Sequence, residues 1–384
     1  MQILTFINFA AAVQGLFLGY LLINKKSDSR EYRILALLVF SMSVALLGAV
    51  LGLSGYYREL PHLIRVGDPL VLLFGPLLYF YIFQLTQGRM PPMYTLHLLP
   101  FLAYLILLVP FYVLSGPEKI AFVEKVFFDS QNNIQVVLIQ LMRAVHLLTY
   151  VILSLLLIRK FGRYLRDNYS DLDQLNLDKA ALLLRFFVGI TAFRIAVYLA
   201  SIFVHLNFVV TNNIVGLMTA VVIYALAYSL WNRNVHVSFP SEPSGQGPVK
   251  TDAPSLETSS EERSRNTYYL SDEQCAVLAE KLEQLFIKEQ VFLENELSLA
   301  QLSDRLGVPA YQTSELINRK YREPFFDFIN RKRIEEVKRR LGDAAYDHYS
   351  ILGIALDCGF NSKSSFNAAF KKFTGSTPSR FRQQ

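Results

Sequence analysis

Between Ser362 and Phe373 the side chains sort onto two faces of a helix. At about 100° per residue, Phe366 and Phe373 fall beside Phe370, while Ser364, Ser365, Ala368, Lys371 and Lys372 fall opposite them. The outer face is short and polar near the helix start and carries lysines toward its end. Side chains at such a start reach base edges in a major groove, and lysines with backbone amides hold phosphates. An ordinary surface helix also has a solvated face, so the neighbouring chain must decide. Ile351–Cys358 reads as a preceding helix and Gly359-Phe360 as a tight turn, which completes a helix-turn-helix pattern at about 350–373.

A second set lies upstream, at about 298–319. Leu299–Leu306 is a short amphipathic helix with Ser298 as its N-cap; Gly307 supplies the turn and Pro309 opens a helix over Ala310–Arg319. Phe325–Leu341 is a long helix that can space the two sets, so that they enter successive major grooves about 34 Å apart on one DNA face. One chain then reads a bipartite site, which leaves a homodimer open. Before these elements, Ser271–Gln290 places Val277, Leu278, Leu282, Leu285 and Phe286 at helical spacing and reads as a bracing helix. Charge separates along this tail. Residues 267–299 hold 2 basic and 7 acidic side chains, and residues 300–384 hold 15 and 9, which suits an anionic partner, double-stranded DNA.

The stretch from Tyr349 to Arg382 resembles the signature of the arabinose-regulator (AraC) family. Gly359, Phe360, Ser362, Ser364, Phe366, Phe370, Lys371, Lys372, Gly375, Thr377, Pro378, Phe381 and Arg382 match it in register. Upstream, 297–308, Leu316-Ile317-Asn318 and 325–341 match the family's first motif and connecting helix, so the resemblance covers about residues 268–384. It implies an all-α DNA-binding domain and a transcriptional regulator. It also implies that Tyr311, Gln312, Ser314 and Glu315 face bases, with Gln312 pairing to adenine and Glu315 accepting from cytosine. Basic side chains at 319, 320, 331, 333, 371, 372 and 382, Arg319 among them, are expected on phosphate or in water. Two departures stand in the first motif, where Ser303 and Thr313 replace a usual Ala and Leu and predict a modest loss of packing. In the second, Ala368 lacks a hydrogen-bonding group, so base reading there falls to Asn361, Ser364, Ser365 and DNA shape.

The chain ahead of this tail has a different character. With 52% hydrophobic residues over 384 positions, it is more apolar than a soluble protein of this length usually is. Apolar runs at about 3–23, 34–56, 66–86, 94–114, 134–158, 182–205 and 210–231 each approach the ~20 residues needed to cross a bilayer. The first lacks a basic leading region and a clear cleavage site, and is expected to be retained. Lysine and arginine set the orientation. With the C-terminus cytoplasmic, inner loops hold Lys25, Lys26, Arg30, Arg33, Arg89, Arg159, Lys160, Arg163, Arg166 and Lys179; outer loops hold only Arg58, Arg65, Lys119 and Lys125. This predicts a multi-pass protein of a bacterial inner membrane, N-terminus outside and tail at the chromosome. The seven-span front is similar to that of membrane-anchored AraC-family regulators.

Among the polar groups within these spans, three charges stand out. Arg143 and Arg194 lie at similar depth, and Asp68 is near the outer end of the third span; together they could receive an anionic small-molecule ligand, or simply pair to fix helix packing. Pro69, Gly75 and Pro76 predict a bend in that third span, and residues 115–133 predict a lid or short surface helix. Residues 236–267 are dense in Pro, Ser, Gly, Glu and Thr and predict a flexible tether reaching about 30 Å. The domains are therefore 1–235, the linker 236–267, and 268–384.

No HExxH, GxSxG, Walker loop or paired-cysteine motif is present, which argues against an enzyme and calls for no metal or cofactor. Cys275 and Cys358 read as buried thiols. The leading expectation is a membrane-anchored regulator that senses an extracytoplasmic or membrane signal; the alternative is a transporter with a regulatory DNA-binding tail.

Overall fold

A computed structural model describes residues 2–24, 30–125, 134–171, 177–203, 208–231 and 269–382. Among them all regular structure is helical, apart from one antiparallel bridge between Tyr169 and Ser298. The expected linker, 236–267, lies outside the described residues. The chain forms two compact units, Met1–Arg159 with Leu177–His236, and Lys160–Asn176 with Val237–Gln384.

In the first unit α1 (Gln2–Ile23) has no charged side chain and packs on α2 (Arg30–Ser54) and on α8 (Phe208–Trp231). Between them come α3 (Phe74–Gln87), α4 (Leu99–Tyr112), α5 (Gly116–Val123), α6 (Ile134–Asn168) and α7 (Leu177–Phe203). Among the described residues, five stretches are long and apolar enough to cross a membrane: Ile3–Ile23, Arg30–Ser54, Pro69–Gln87, Tyr94–Tyr112 and Leu138–Asn168. The expected sixth and seventh spans fall on α7 and α8, of which only Asn212–Ala225 stands out among the described residues, as a shorter apolar helix. Phe6, Phe17, Ile106 and Leu107 remain exposed.

The expected bend of the third span takes the form of a change in helix type. Pro69 opens a 3-10 segment, Pro69–Leu73, which passes into α3 at Phe74. Pro76 then lies in the first turn of α3, where a backbone N–H has no helical partner to lose. The expected short helix after the fourth span is α5. Its entry is held by Ser115, whose backbone N–H and hydroxyl both donate to Glu118 Oε2, at 2.8 and 2.6 Å.

The second unit is built on two cores that share one helix. α9 (Asp272–Glu289) begins at Ser271, whose hydroxyl accepts from the Gln274 N–H. It buries Cys275, Leu278, Leu282 and Phe286, whereas Val277, expected on the same stripe, is exposed. α10 (Leu299–Leu306) and α11 (Ala310–Leu316) add Leu302, Leu306 and Leu316 to that core. α12 (Phe325–Leu341) inserts Phe325, Phe328 and Ile329 into it. The far half of α12 gives Ile334, Val337 and Leu341 to the second core, with Ile354 of α13 (Ile351–Asp357) and Phe366 and Phe370 of α14 (Lys363–Thr374). Phe381 of α15 (Pro378–Arg382) packs against it. At ~1.5 Å per residue, the 17 residues of α12 set the two cores on a common strut about 25 Å long.

Candidate nucleic-acid interface

Two helix pairs carry the residues expected to meet DNA. In the first, Ser298 caps α10 and accepts from the Gln301 N–H, and Gly307 turns the chain with φ 71°. Pro309 then opens α11, which passes into a π-helical turn, Ile317–Tyr321. The Ala310–Arg319 helix is thus one α-helix shorter by three residues than expected, with the rest wound wider. In the second, Gly359 turns the chain with φ 92°, and the Ser362 hydroxyl caps α14 by accepting from the Ser365 N–H at 3.1 Å.

Ser303 and Thr313 lie fully inside the first pair. The Ser303 hydroxyl donates to the Leu299 carbonyl at 2.7 Å and accepts from the Thr313 hydroxyl at 2.8 Å. The expected packing loss is therefore corrected: a buried hydroxyl pair joins α10 to α11, with its polar atoms satisfied.

On α11, Tyr311 is exposed and its ring meets that of Tyr269 edge-on at 4.9 Å. The side-chain amide of Gln312 is half-buried and unengaged among the described residues. Ser314 accepts from Asn318 at 3.4 Å. Glu315 differs from expectation. Its carboxylate takes the backbone N–H groups of Tyr269 and Leu270, at 2.9 and 3.2 Å, so it anchors the chain entering α9. Arg319 works beside it, donating to the Leu270 carbonyl and pairing with Asp272.

On α14, Ser364, Ala368 and Lys371 are exposed. Ser365 is half-buried and donates to the Ser362 carbonyl, so its hydroxyl serves the helix cap. Lys372 is exposed but pairs with Asp327 of α12 at 2.6 Å, bracing α14 on the strut. Asn361 is also engaged: its Oδ1 accepts from Asn295 at 2.9 Å, and its amide donates to Asp171. Two further exposed residues are Asn367, which borders the outward arc, and Lys363, which is exposed at the first position of α14 although the wheel places it beside Phe370.

Three arginines expected on phosphate or in water are structural. Arg333 is 1% exposed. It donates to the carbonyls of Phe292 and Glu294, at 2.7 and 2.5 Å, and to Ser170 Oγ at 3.1 Å. Burial pushes its guanidinium down to about 10, against a pull from Asp171. Arg331 is held between Glu323 and Glu335, at 2.6 and 3.0 Å. Arg382 donates to the carbonyls of Tyr346, Asp347 and Tyr349, tying α15 to the loop before α13. Opposite charges close the first core from the outside. Burial alone would raise Glu283, but the Tyr321 hydroxyl and Lys332 outweigh it and hold its carboxyl below the usual range.

The second unit also takes in chain from between α6 and α7. The Ser170 N–H donates to the Leu297 carbonyl, and Asn330 donates to the Ser170 carbonyl. This segment lies far from the tail in sequence, and no periodicity signals its place. Cys275 and Cys358 are both buried and unbridged.

A model of the helix-turn-helix domain family matches residues 302–384. An uncharacterized HTH-type transcriptional regulator of Staphylococcus aureus strain COL is 33% identical over 103 residues, 27% of this chain and 13% of its own length. Uncharacterized HTH-type regulators of strains MSSA476 and N315 show the same identity and coverage. The chain thus spans about 13% of the length of the curated relatives it matches. No solved structure matches the chain. These likenesses fall on the tail, which carries a helix-turn-helix domain of the kind found in transcriptional regulators.

Proposed function

We propose that the chain is a membrane-anchored, sequence-specific DNA-binding transcriptional regulator, a one-component sensor whose tail reads DNA with both helix pairs. The observation that carries this is that α11 and α14, each the second helix of a helix-turn-helix pair, both keep side chains clear of their cores. α14 packs on α12 and leaves Ser364, Ala368 and Lys371 exposed, and α11, set in the first core, leaves Tyr311 exposed with Gln312 and Ser314 half-buried. Tyr311, Gln312 and Ser314 are the base-reading set of the first pair; Ser364 and the surface around Ala368 serve the second, with Lys371 on phosphate. Glu315, Arg319, Asn361, Ser365 and Lys372 support these helices from behind.

In this reading the front crosses the inner membrane seven times, with the N-terminus outside and the tail in the cytoplasm. Genome-wide DNA occupancy of the full chain, compared with that of residues 267–384 alone, tests it. Both should select the same bipartite motif, and only the full chain should change occupancy with external conditions. Occupancy without a common motif would remove the regulator reading.

A further inference from the structure

Within the first unit, the segment Arg65–Phe74 and helices α2, α6, α7 and α8 line a partly open cavity of about 210 Å³. That is far more than the ~10–15 Å³ one water needs and less than the ~300–1,000 Å³ of pockets for drug-sized ligands. Its lining holds three guanidiniums, Arg65, Arg143 and Arg194, against one carboxylate, Asp68.

The charges are unequally satisfied. Asp68 accepts from Arg65 Nε at 2.9 Å and stands 3.6 Å from Arg143. The Tyr104 hydroxyl is shared by Arg65 and Arg143, at 2.8 and 2.7 Å. Arg143 and Arg194 are each only 6% exposed, and the Nε of each is buried without a partner. Arg194 makes no hydrogen bond or ion pair among the described residues. An arginine this buried is normally paired, because desolvation is not otherwise repaid.

We propose that this cavity binds a small organic carboxylate, its carboxylate on Arg194 and the free edge of Arg143, its short apolar body toward Leu46, Val71 and Phe74. The planar guanidinium fork matches a carboxylate two-to-two. The apolar end favours a molecule with one charged end over a fully hydrated inorganic anion. Gln140, also on the lining, offers an amide that can meet a second oxygen.

This deepens the sensor reading and rests on it for its biological meaning, while binding itself can be read directly. The test is calorimetric titration of the full chain, in nanodiscs, with straight-chain alkanoates from acetate to octanoate, the matching alcohols, and inorganic phosphate. Expected are an affinity optimum at a short chain length, no binding of alcohols, and a loss of about 100-fold in Arg194→Gln with partial rescue in Arg194→Lys. Without ligand, Arg194→Gln should be at least as heat-stable as the parent; a variant that unfolds would make Arg194 a structural residue and overturn the site. Phe74→Trp should shift the optimum to shorter chains. Equal binding of phosphate, or alkanoate binding unaffected by Arg194→Gln, also overturns the proposal. If alkanoate binds but leaves DNA occupancy unchanged, the site stands and the sensor reading fails.

Discussion

At the scale of single residues, a polar side chain on an outward arc is available to DNA only if nothing inside the protein has claimed it. Gln312 and Glu315 both lie on α11, yet the Glu315 carboxylate is occupied by two backbone N–H groups while the Gln312 amide is unengaged. Gln312→Ala should therefore relax preference at one base position by about 1–3 kcal/mol with folding intact. Glu315→Ala should loosen the start of α9 and weaken all sites alike, which binding to a panel of single-base operator variants will separate. Lys371→Ala belongs with the second kind: uniform weakening and a salt slope lower by about one. The wheel could not distinguish these roles, because the partners of Glu315 precede α9 and carry no periodic signal. Cys358 was legible as a buried thiol. Burial raises it to about 12 from 9.0, so the folded form keeps its proton where the unfolded chain loses it. Its contribution to stability is thus complete below pH 9 and falls as pH rises from there toward 12. Native chain should resist iodoacetamide at Cys358 at pH 8, and the resistance should vanish in urea, as read by peptide mass.

At the scale of elements, the boundaries of α9, α10, α12 and α13 follow closely from caps and turns in the sequence. Ser271, Ser298 and Ser350 each accept a backbone N–H three residues on; the start of α10 was legible from its Ser298 cap, those of α9 and α13 from apolar periodicity and the helix-turn-helix pattern. What local rules could not supply is how tightly a turn is enclosed. Gly307 and Gly359 both have positive φ, so both look alike as turn glycines. A Cβ on Gly307 would meet only the flexible end of Lys281, at 3.7 Å, whereas on Gly359 it would lie 2.6 Å from the Leu293 carbonyl oxygen and 2.8 Å from Arg333 Nε. Gly307→Ala should cost about 1–2 kcal/mol, the left-handed backbone term alone. Gly359→Ala should cost about 2–5 kcal/mol, because overpacking against the buried arginine adds to it. Hydrogen exchange along α10–α11 and α13–α14 will measure both locally. The Ser303–Thr313 hydroxyl pair teaches the same lesson. Two departures from a familiar pattern looked like lost packing one at a time, and only their proximity reveals them as one satisfied contact.

At the scale of the whole molecule, the apolar runs announced helices well, but hydropathy alone leaves open how many of them cross. Among the described residues five stretches have the length and composition, and α7 and α8 decide between five and seven. An odd number in either case puts the two termini on opposite sides, so the position of the tail cannot discriminate. The connection between α7 and α8 can. If both helices cross, it lies outside, and Asn207→Cys should react with a membrane-impermeant maleimide in intact cells. Cysteine placed at Arg89, on an expected inner loop, should react only after permeabilisation. Labelling of both only after permeabilisation would reduce the count to five. The loop after α6 bears on the same question from another side. Lys160–Asn176 belongs to the unit that carries the two helix-turn-helix pairs, and Ser170 bonds Arg333 at its centre. In the membrane-anchored reading, a segment with that role would share the tail's side of the membrane. The inner loops assigned from lysine and arginine include this one, with Lys160, Arg163 and Arg166 in it. Asp167→Cys should therefore share the protection of Arg89→Cys; labelling of Asp167→Cys in intact cells would place the DNA-binding unit outside and undo the regulator reading with it.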